Sequence, residues 1–249
     1  IGPEVAAAAR AVLEAVAAEH ELSLAFTTHD FGGCAIDAHG DPFPEETKSA
    51  CLSADAVFLG AVGGPKWEGG GPRPEAGLLA LRTELGTFAN LRPITLFDGL
   101  EALSPLKPER VGGTDLLIVR ELTGGLYYGE PRGVAADGQS AFNTMRYTRG
   151  EIERIAEVAF QSAMNRRRLL TSVDKANVLD TSRLWRETAT RVFTTEFPEV
   201  QLEHLYIDAA TMHLLSRPAD FDVMVMDNMF GDILTDEASM LAGSLGVLP

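Results

Sequence analysis

The feature that most constrains the fold is a repeated alternation of short apolar runs with segments of helical periodicity. Runs typical of buried strands are expected at 22–28, 56–62, 116–119, 170–173, 202–207 and 223–226, and another near Ile94. Helices are expected at 3–19, 45–52 and 75–85, and from a capping box at Thr148 and Glu151 to about Arg168. Such alternation is typical of strands joined by crossover helices. The sequence therefore predicts an α/β fold with a mostly parallel sheet and flanking helices.

One stretch, 124–147, interrupts this alternation. It contains glycines, aromatic residues and β-forming residues without a helical period, which predicts a hairpin arm. Two strands cannot bury both of their faces alone, so we expect the arm to pair with a second subunit. A solvent-exposed flap is the alternative.

Composition and charge exclude several classes of function. The formal net charge of −15 argues against nucleic-acid binding, and the chain has no apolar run long enough to span a membrane. A small anionic substrate remains compatible, because a few arginines can reverse the field within one cleft. Cys34 and Cys51 are expected to be structural thiols in a reducing compartment, which favours the cytoplasm. An organelle stays open, since the sequence opens on Ile1 and a targeting segment could have been removed.

Three aspartates are candidate metal ligands. Asp232 and Asp236 are four residues apart at the start of an expected helix, so their carboxylates share one face. Hard oxygen ligands suit Mg²⁺ or Mn²⁺, and Asp208, at the end of an expected strand, could complete the set. The alternative is a solvated acidic start of a helix.

Lys175 and Tyr127 are candidates for proton transfer. Lys175 follows an expected buried strand, and a lysine that is partly desolvated near a metal can accept a proton at neutral pH. Tyr127 follows the flexible pair Gly124-Gly125 and could donate a proton in a closed site. A solvent-exposed lysine at a strand end and an aromatic residue of the arm are the alternatives.

Three arginines could hold a dicarboxylate. Arg82 lies on the expected helix 75–85, Arg92 precedes a proline, and Arg120 ends an expected strand. The planar guanidinium group matches carboxylates two bonds at a time, although each arginine could instead form a surface ion pair. The glycines of 60–64 lack the spacing of the usual dinucleotide fingerprint.

The segment 228–236, with its continuation at 243–246, resembles the signature of the isocitrate/isopropylmalate family of metal-dependent β-decarboxylating dehydrogenases. The resemblance covers nearly the whole chain. It implies that family's two-domain fold, with a first domain of 1–88 plus 242–249. The second domain would be 89–241, with a dimer arm at about 124–147.

The family's substrates include 3-isopropylmalate, isocitrate, homoisocitrate and tartrate, and one helix distinguishes them. In this sequence Leu78 and Leu79 occupy that helix, where the isocitrate branch uses a serine and an asparagine. Burying isopropyl carbons there would contribute roughly 2 kcal/mol. The resemblance therefore implies oxidation and decarboxylation of 3-isopropylmalate to 4-methyl-2-oxopentanoate with NAD, in leucine biosynthesis. A sibling dehydrogenase for tartrate, an alkylmalate or homoisocitrate is one alternative, and a non-catalytic homologous subunit is another.

The resemblance also implies individual roles. The expected catalytic residues are Lys175 and Tyr127, and the expected ligands of Mg²⁺ or Mn²⁺ are Asp208, Asp232 and Asp236. Substrate contacts are expected from Leu78, Leu79, Arg82, Arg92, Arg120, Asn177, Val178 and Asp208. Cofactor contacts are expected from Glu75, Asn177, Ser244 and Gly246. In the family's homodimer, Lys175, Asn177 and Asp208 would come from the other subunit.

Two departures from the family pattern concern the ends of the chain. Members begin with a strand and a glycine-rich turn before the Gly-Pro-Glu found here at 2–4, and they continue past 248–249 through a loop that holds the adenosine end of the cofactor. We therefore expect this chain to lack both ends and to bind the dinucleotide weakly. The choice between NAD and NADP is not readable, and NAD is the family default.

Overall fold

The computed structural model describes residues 2–68, 70–97 and 99–244. The chain divides into two compact units, Ile1–Thr87 and Phe88–Pro249. The assignment of 242–249 to the first domain stays a prediction. None of the helices in the described ranges is long and apolar enough to cross a membrane.

The first unit is built from helices. Their bounds are α1 Gly2–Glu19, α2 Gly33–His39, α3 Glu45–Ser53 and α4 Pro74–Glu84. The helices expected at 3–19, 45–52 and 75–85 are thus confirmed. The strands expected at 22–28 and 56–62 are wrong, because both segments are largely exposed and form no strand in the structure. A β-forming composition is not enough, since a strand also needs a hydrogen-bonded neighbour.

The second unit contains a five-stranded sheet and a small hairpin. The strand bounds are β1 Ala89–Thr95, β2 Asp115–Glu121, β3 Gly133–Val134, β4 Ala141–Phe142, β5 Leu169–Asp174, β6 Gln201–Tyr206 and β7 Val223–Met226. The sheet order is β1-β2-β7-β5-β6, with β1 antiparallel to β2 and the remaining pairs parallel. The expected mostly parallel sheet is confirmed.

Helices cover both faces of this sheet. Their bounds are α5 Pro108–Val111, α6 Arg149–Met164, α7 Asp180–Glu196, α8 Ile207–Ser216 and α9 Asn228–Ser239. The capping box at Thr148 and Glu151 begins α6 as expected. The helix ends four residues before the expected Arg168, however. Arg168 has φ +62, so the chain there turns directly toward β5.

The central strand β7 explains how the helices and the sheet form one core. Its four residues are fully buried, and they alternate between two apolar clusters on opposite faces of the sheet. A strand covered on both faces reads as a continuous apolar run, as it does here. The parallel strands all end at the same edge of the sheet, where functional residues of α/β folds gather.

The arm expected at 124–147 contains the antiparallel hairpin of β3 and β4, in which Gly133 pairs with Phe142. Two apolar side chains of this hairpin are exposed, Val134 by 69% and Phe142 by 51%. The hairpin is confirmed, and its pairing with a second subunit stays a prediction.

Candidate active site

Arg120 is the centre of a buried cluster at the carboxyl edge of the sheet. It is the penultimate residue of β2, is 4% exposed, and donates from Nε and Nη2 to Asn228 Oδ1 at 3.2 and 2.9 Å. Its Nη1 donates to Asp232, whose side chain is 43% exposed. A buried guanidinium is thus held by one amide and one carboxylate, with the carboxylate reaching the surface.

Tyr127 joins this cluster through the same aspartate. Its hydroxyl donates to Asp232 Oδ2 at 2.7 Å, and its ring lies 5.9 Å from the Arg120 guanidinium carbon. Burial, together with the bond to Asp232, raises the pKa of Tyr127 to about 12. The tyrosine therefore keeps its proton at neutral pH, as a proton donor must.

Arg92 lies on the same face of the sheet as Arg120. The register pairs Asn90 with Arg120, and Arg92 is two residues along the strand from Asn90. Its Nε donates to Asn90 Oδ1 at 2.9 Å. Two of the three expected arginines thus face the same side of neighbouring strands.

Lys175 forms a separate pair further along the edge. It follows β5, and its Nζ donates to Asp208 Oδ1 at 2.6 Å, near the start of α8. The side chains are 25% and 64% exposed. The hydrogen bond from Lys175 lowers the pKa of Asp208.

The turn that carries Lys175 is held by an ion pair whose carboxylate, Asp174, is buried. Arg186 donates from Nε and Nη2 to the two carboxylate oxygens of Asp174 at 2.8 and 2.9 Å. The Ala176 amide also donates to Asp174. Asn177 and Val178 follow on the same turn and are exposed.

The three expected metal ligands are not gathered within one chain. In the part of the chain that the structure describes, no group of three His, Cys, Asp or Glu residues could hold a metal ion. Asp232 bonds to Arg120 and Tyr127, whereas Asp208 bonds to Lys175. Asp236 is exposed one turn beyond Asp232 on α9.

The expected residues of α4 lie in the first unit. Leu78, Leu79 and Arg82 are half-buried, and Glu75 is exposed in the first turn. A side chain at Gly63 would come within 3.1 Å of Glu75 Oε1. The loop backbone beside Glu75 thus carries no side chain at Gly63.

The remaining expected cofactor residues lie at the far end of the chain. Ser244 is exposed after a turn at 241–243, and Gly246 lies outside the described residues. The cysteines are both free thiols. Cys34 is exposed and donates to the Phe31 carbonyl, and burial raises the pKa of Cys51. Their structural role stays a prediction.

Sequence reasoning missed the buried polar residues that support the site. Glu121 and Asn228 are fully buried and Tyr147 is 6% exposed, yet none was singled out. Each had a local signal, since Asn228 opens the signature segment, Glu121 follows Arg120, and Tyr147 precedes the capping box. Those signals mark positions in the sequence but do not reveal that the three side chains meet.

The chain belongs to the isocitrate/isopropylmalate dehydrogenase family, whose model matches residues 1–249. It is 53% identical over 249 residues to the 3-isopropylmalate dehydrogenase of Staphylococcus haemolyticus, covering all of this chain and 71% of that protein. It is 56% identical over 253 residues to the 3-isopropylmalate dehydrogenase of Halalkalibacterium halodurans, covering all of this chain and 69% of the relative.

A solved structure agrees with the fold. The isocitrate dehydrogenase from Methylococcus capsulatus superposes with a TM-score of 0.86 at 32% identity, over 99% of this chain and 69% of that chain. The expected family and fold are thus confirmed.

Proposed function

We propose that this protein oxidises and decarboxylates 3-isopropylmalate to 4-methyl-2-oxopentanoate with reduction of NAD, a step of leucine biosynthesis. The observation that carries the proposal is Asp232, which accepts hydrogen bonds from a buried arginine and from a protonated tyrosine while its side chain reaches the surface. Relatives named for this activity share more than half of the residues of the chain. The cytoplasmic location expected from the sequence stays a prediction.

The carboxylates fit a hard divalent cation. Asp232 and the exposed Asp236 are one turn apart on α9, and carboxylate oxygens are the ligands that Mg²⁺ and Mn²⁺ prefer. We assign the cation to Asp232, Asp236 and the Asp208 of a second subunit. Bound there, it would supply Lewis-acid polarisation of the new carbonyl, and the nicotinamide would accept the hydride.

The protein's own side chains bind the substrate and move its protons. Arg120 and Arg92 face one side of the sheet, and each can hold a carboxylate. Lys175 accepts the proton of the substrate hydroxyl. Tyr127, whose pKa is raised to about 12, donates a proton to the enol carbon after carbon dioxide leaves.

A homodimer with shared sites explains the position of Lys175. Lys175 and Asp208 pair with each other at the surface rather than with the Arg120 cluster. We propose that this pair and Asn177, with the neighbouring Val178, complete the site of a second copy of the chain. The exposed apolar side chains of the hairpin support such pairing.

Helix α4 is proposed to select the substrate. Leu78 and Leu79 contact the isopropyl group and Arg82 contacts a carboxylate of the substrate. At the start of the same helix, Glu75 lies beside Gly63, where the backbone carries no side chain. The missing side chain leaves room for close approach by the nicotinamide ribose. Ser244 and Gly246 are proposed to contact the cofactor as well.

Steady-state rates on three substrates test the proposal. With Mn²⁺ and NAD present, we expect kcat/KM for 3-isopropylmalate to exceed the values for isocitrate and tartrate by about 100-fold. A preference for tartrate or isocitrate would identify a sibling activity. Absence of turnover on all three, with either NAD or NADP, would favour a non-catalytic subunit.

A further inference from the structure

Asn228 connects two parts of the site through a single buried amide. Its Oδ1 accepts the hydrogen bonds from Nε and Nη2 of Arg120, and its Nδ2 donates to the Gly124 carbonyl at 3.2 Å. Gly124 begins the short turn that carries Tyr127. One side chain therefore contacts both the arginine and the segment bearing the tyrosine.

Tyr147 and Glu121 fix the position of Asn228 through a chain of two hydrogen bonds. The backbone N–H of Asn228 donates to the Tyr147 hydroxyl at 3.0 Å, and that hydroxyl donates to Glu121 Oε2 at 3.2 Å. Burial raises the pKa of Tyr147, so the hydroxyl keeps the proton that it donates. Glu121 also accepts from the Thr123 and Gly124 amides, both at 2.8 Å. A satisfied buried network of this kind favours a single arrangement.

Close packing restricts both the turn that carries Tyr127 and the first turn of α9. A Cβ at Gly125, where φ is +72, would stand 2.5 Å from the Tyr147 hydroxyl. A Cβ at Gly231 would stand 2.5 Å from Arg120 Cγ. The backbone thus approaches both Tyr147 and Arg120 more closely than a side chain would allow.

We propose that Asn228, held by Tyr147 and Glu121, is a positioning residue that fixes Arg120 and the Tyr127 segment relative to each other. The inference rests on the proposed function for the roles of Arg120 and Tyr127. It adds that neither group acts independently. A guanidinium group recognises a carboxylate only in a fixed orientation, and small misplacements are costly to catalysis.

Three variants separate the contact of Asn228 with Arg120 from its contact with Gly124. Asn228→Ala removes both, and we expect kcat/KM for 3-isopropylmalate to fall about 100-fold, with KM raised and kcat lowered. Asn228→Asp keeps an acceptor for Arg120 but loses the donor to Gly124, so the fall should lie mainly in kcat. Tyr147→Phe removes one hydroxyl from the network, and we expect a loss of about 10-fold.

Asp222→Asn is the matched control at the opposite end of β7. Asp222 is also fully buried, and it accepts hydrogen bonds from Arg166 and from the Arg167 amide, both at 2.8 Å. This variant should lower the unfolding temperature without changing kcat/KM. A fall in kcat/KM for Asn228→Ala no larger than that for Asp222→Asn would overturn the inference.

An NMR measurement keeps the inference separate from the proposed function. The side-chain Nε–H signal of Arg120 should be protected in the wild type and lost or shifted in Asn228→Ala. An unchanged signal would overturn the positioning role even if the wild type is active. If the wild type does not oxidise 3-isopropylmalate, the proposed function fails, and loss of the Arg120 signal still supports the positioning role.

Discussion

Two clusters lie on the same edge of the sheet and differ in how completely one chain builds them. The Arg120 cluster, which comprises Arg120, Tyr127, Asn228 and Asp232, is mostly buried and each of its members is hydrogen-bonded. The Lys175 pair, Lys175 with Asp208, is a single ion pair at the surface. The first is preorganised within the chain, whereas the second has its carboxylate largely in solvent.

The difference indicates how a shared site would be divided between subunits. Orienting a substrate carboxylate requires a rigid guanidinium group, which burial and several bonds provide. A proton acceptor that acts across an interface must instead project from the surface of its own subunit. Surface ion pairs are weak, so Lys175 can exchange Asp208 for another partner at little cost.

The largest expected effect follows from removing the proposed proton acceptor, Lys175. Lys175→Ala should lower kcat by about 1000-fold because the substrate hydroxyl loses its proton acceptor. Binding of Mn²⁺, followed by calorimetry, should be unchanged. Lys48→Ala is the control, since Lys48 also donates to a carboxylate, Glu84, at 2.6 Å and is similarly exposed. Full turnover in Lys175→Ala would contradict the assigned role.

A smaller effect, a regain of turnover, tests whether each active site takes its Arg120 cluster from one subunit and its Lys175 pair from the other. Mixed dimers of Lys175→Ala with Asp232→Asn contain one intact site and should regain about half of the wild-type turnover. Co-expression with two affinity tags and tandem purification gives these dimers for assay.

The control for this experiment pairs Lys175→Ala with Asp208→Asn. Both changes lie in the cluster that the second subunit would supply, so each site of the mixed dimer is damaged and turnover should stay low. Rescue by neither pair would show that each chain builds its own site.

The sequence predicted the second unit better than the first because its strands have neighbours. The run at 223–226 alternates between two buried clusters, so its apolar pattern and its structure agree. The runs at 22–28 and 56–62 have similar composition but form no strand in the structure. Whether a segment forms a strand depends on the adjacent strands with which it pairs, and the composition of the segment alone does not determine this.

For the site, residue types were predictable and contacts were not. The sequence indicated Arg120, Tyr127, Lys175 and the aspartates by chemistry and position. It could not indicate that Asp232 bonds to Arg120 and Tyr127 while Asp208 bonds to Lys175, because these contacts join residues as many as 112 positions apart. Long-range hydrogen bonds depend on the register of the sheet, which local patterns do not determine.

The smallest expected effect compares how Asp227, which is adjacent to the Arg120 cluster, and Asp208 of the Lys175 pair contribute to stability as pH changes. Burial raises the pKa of Asp227, beside Asn228, from 3.8 to about 7. Its protonated form therefore stabilises the fold below the unfolded pKa, and this contribution is lost as pH rises through about 7. The pKa of Asp208 is instead lowered, so its contribution is present above the unfolded value and is lost only at lower pH.

Asp227→Asn should remove the loss of stability that occurs as pH rises. The variant keeps an oxygen that accepts from the Phe230 amide, as Asp227 Oδ1 does at 2.8 Å. Between about pH 5 and pH 8, the wild type should lose about 2 kcal/mol more free energy of unfolding than the variant. Urea unfolding at both pH values, without metal or substrate, measures the difference. Asp208→Asn should follow the wild type over this window, because Asp208 stays ionised in both the folded and the unfolded state. If Asp227→Asn loses stability as steeply as the wild type, the pH dependence does not arise from Asp227.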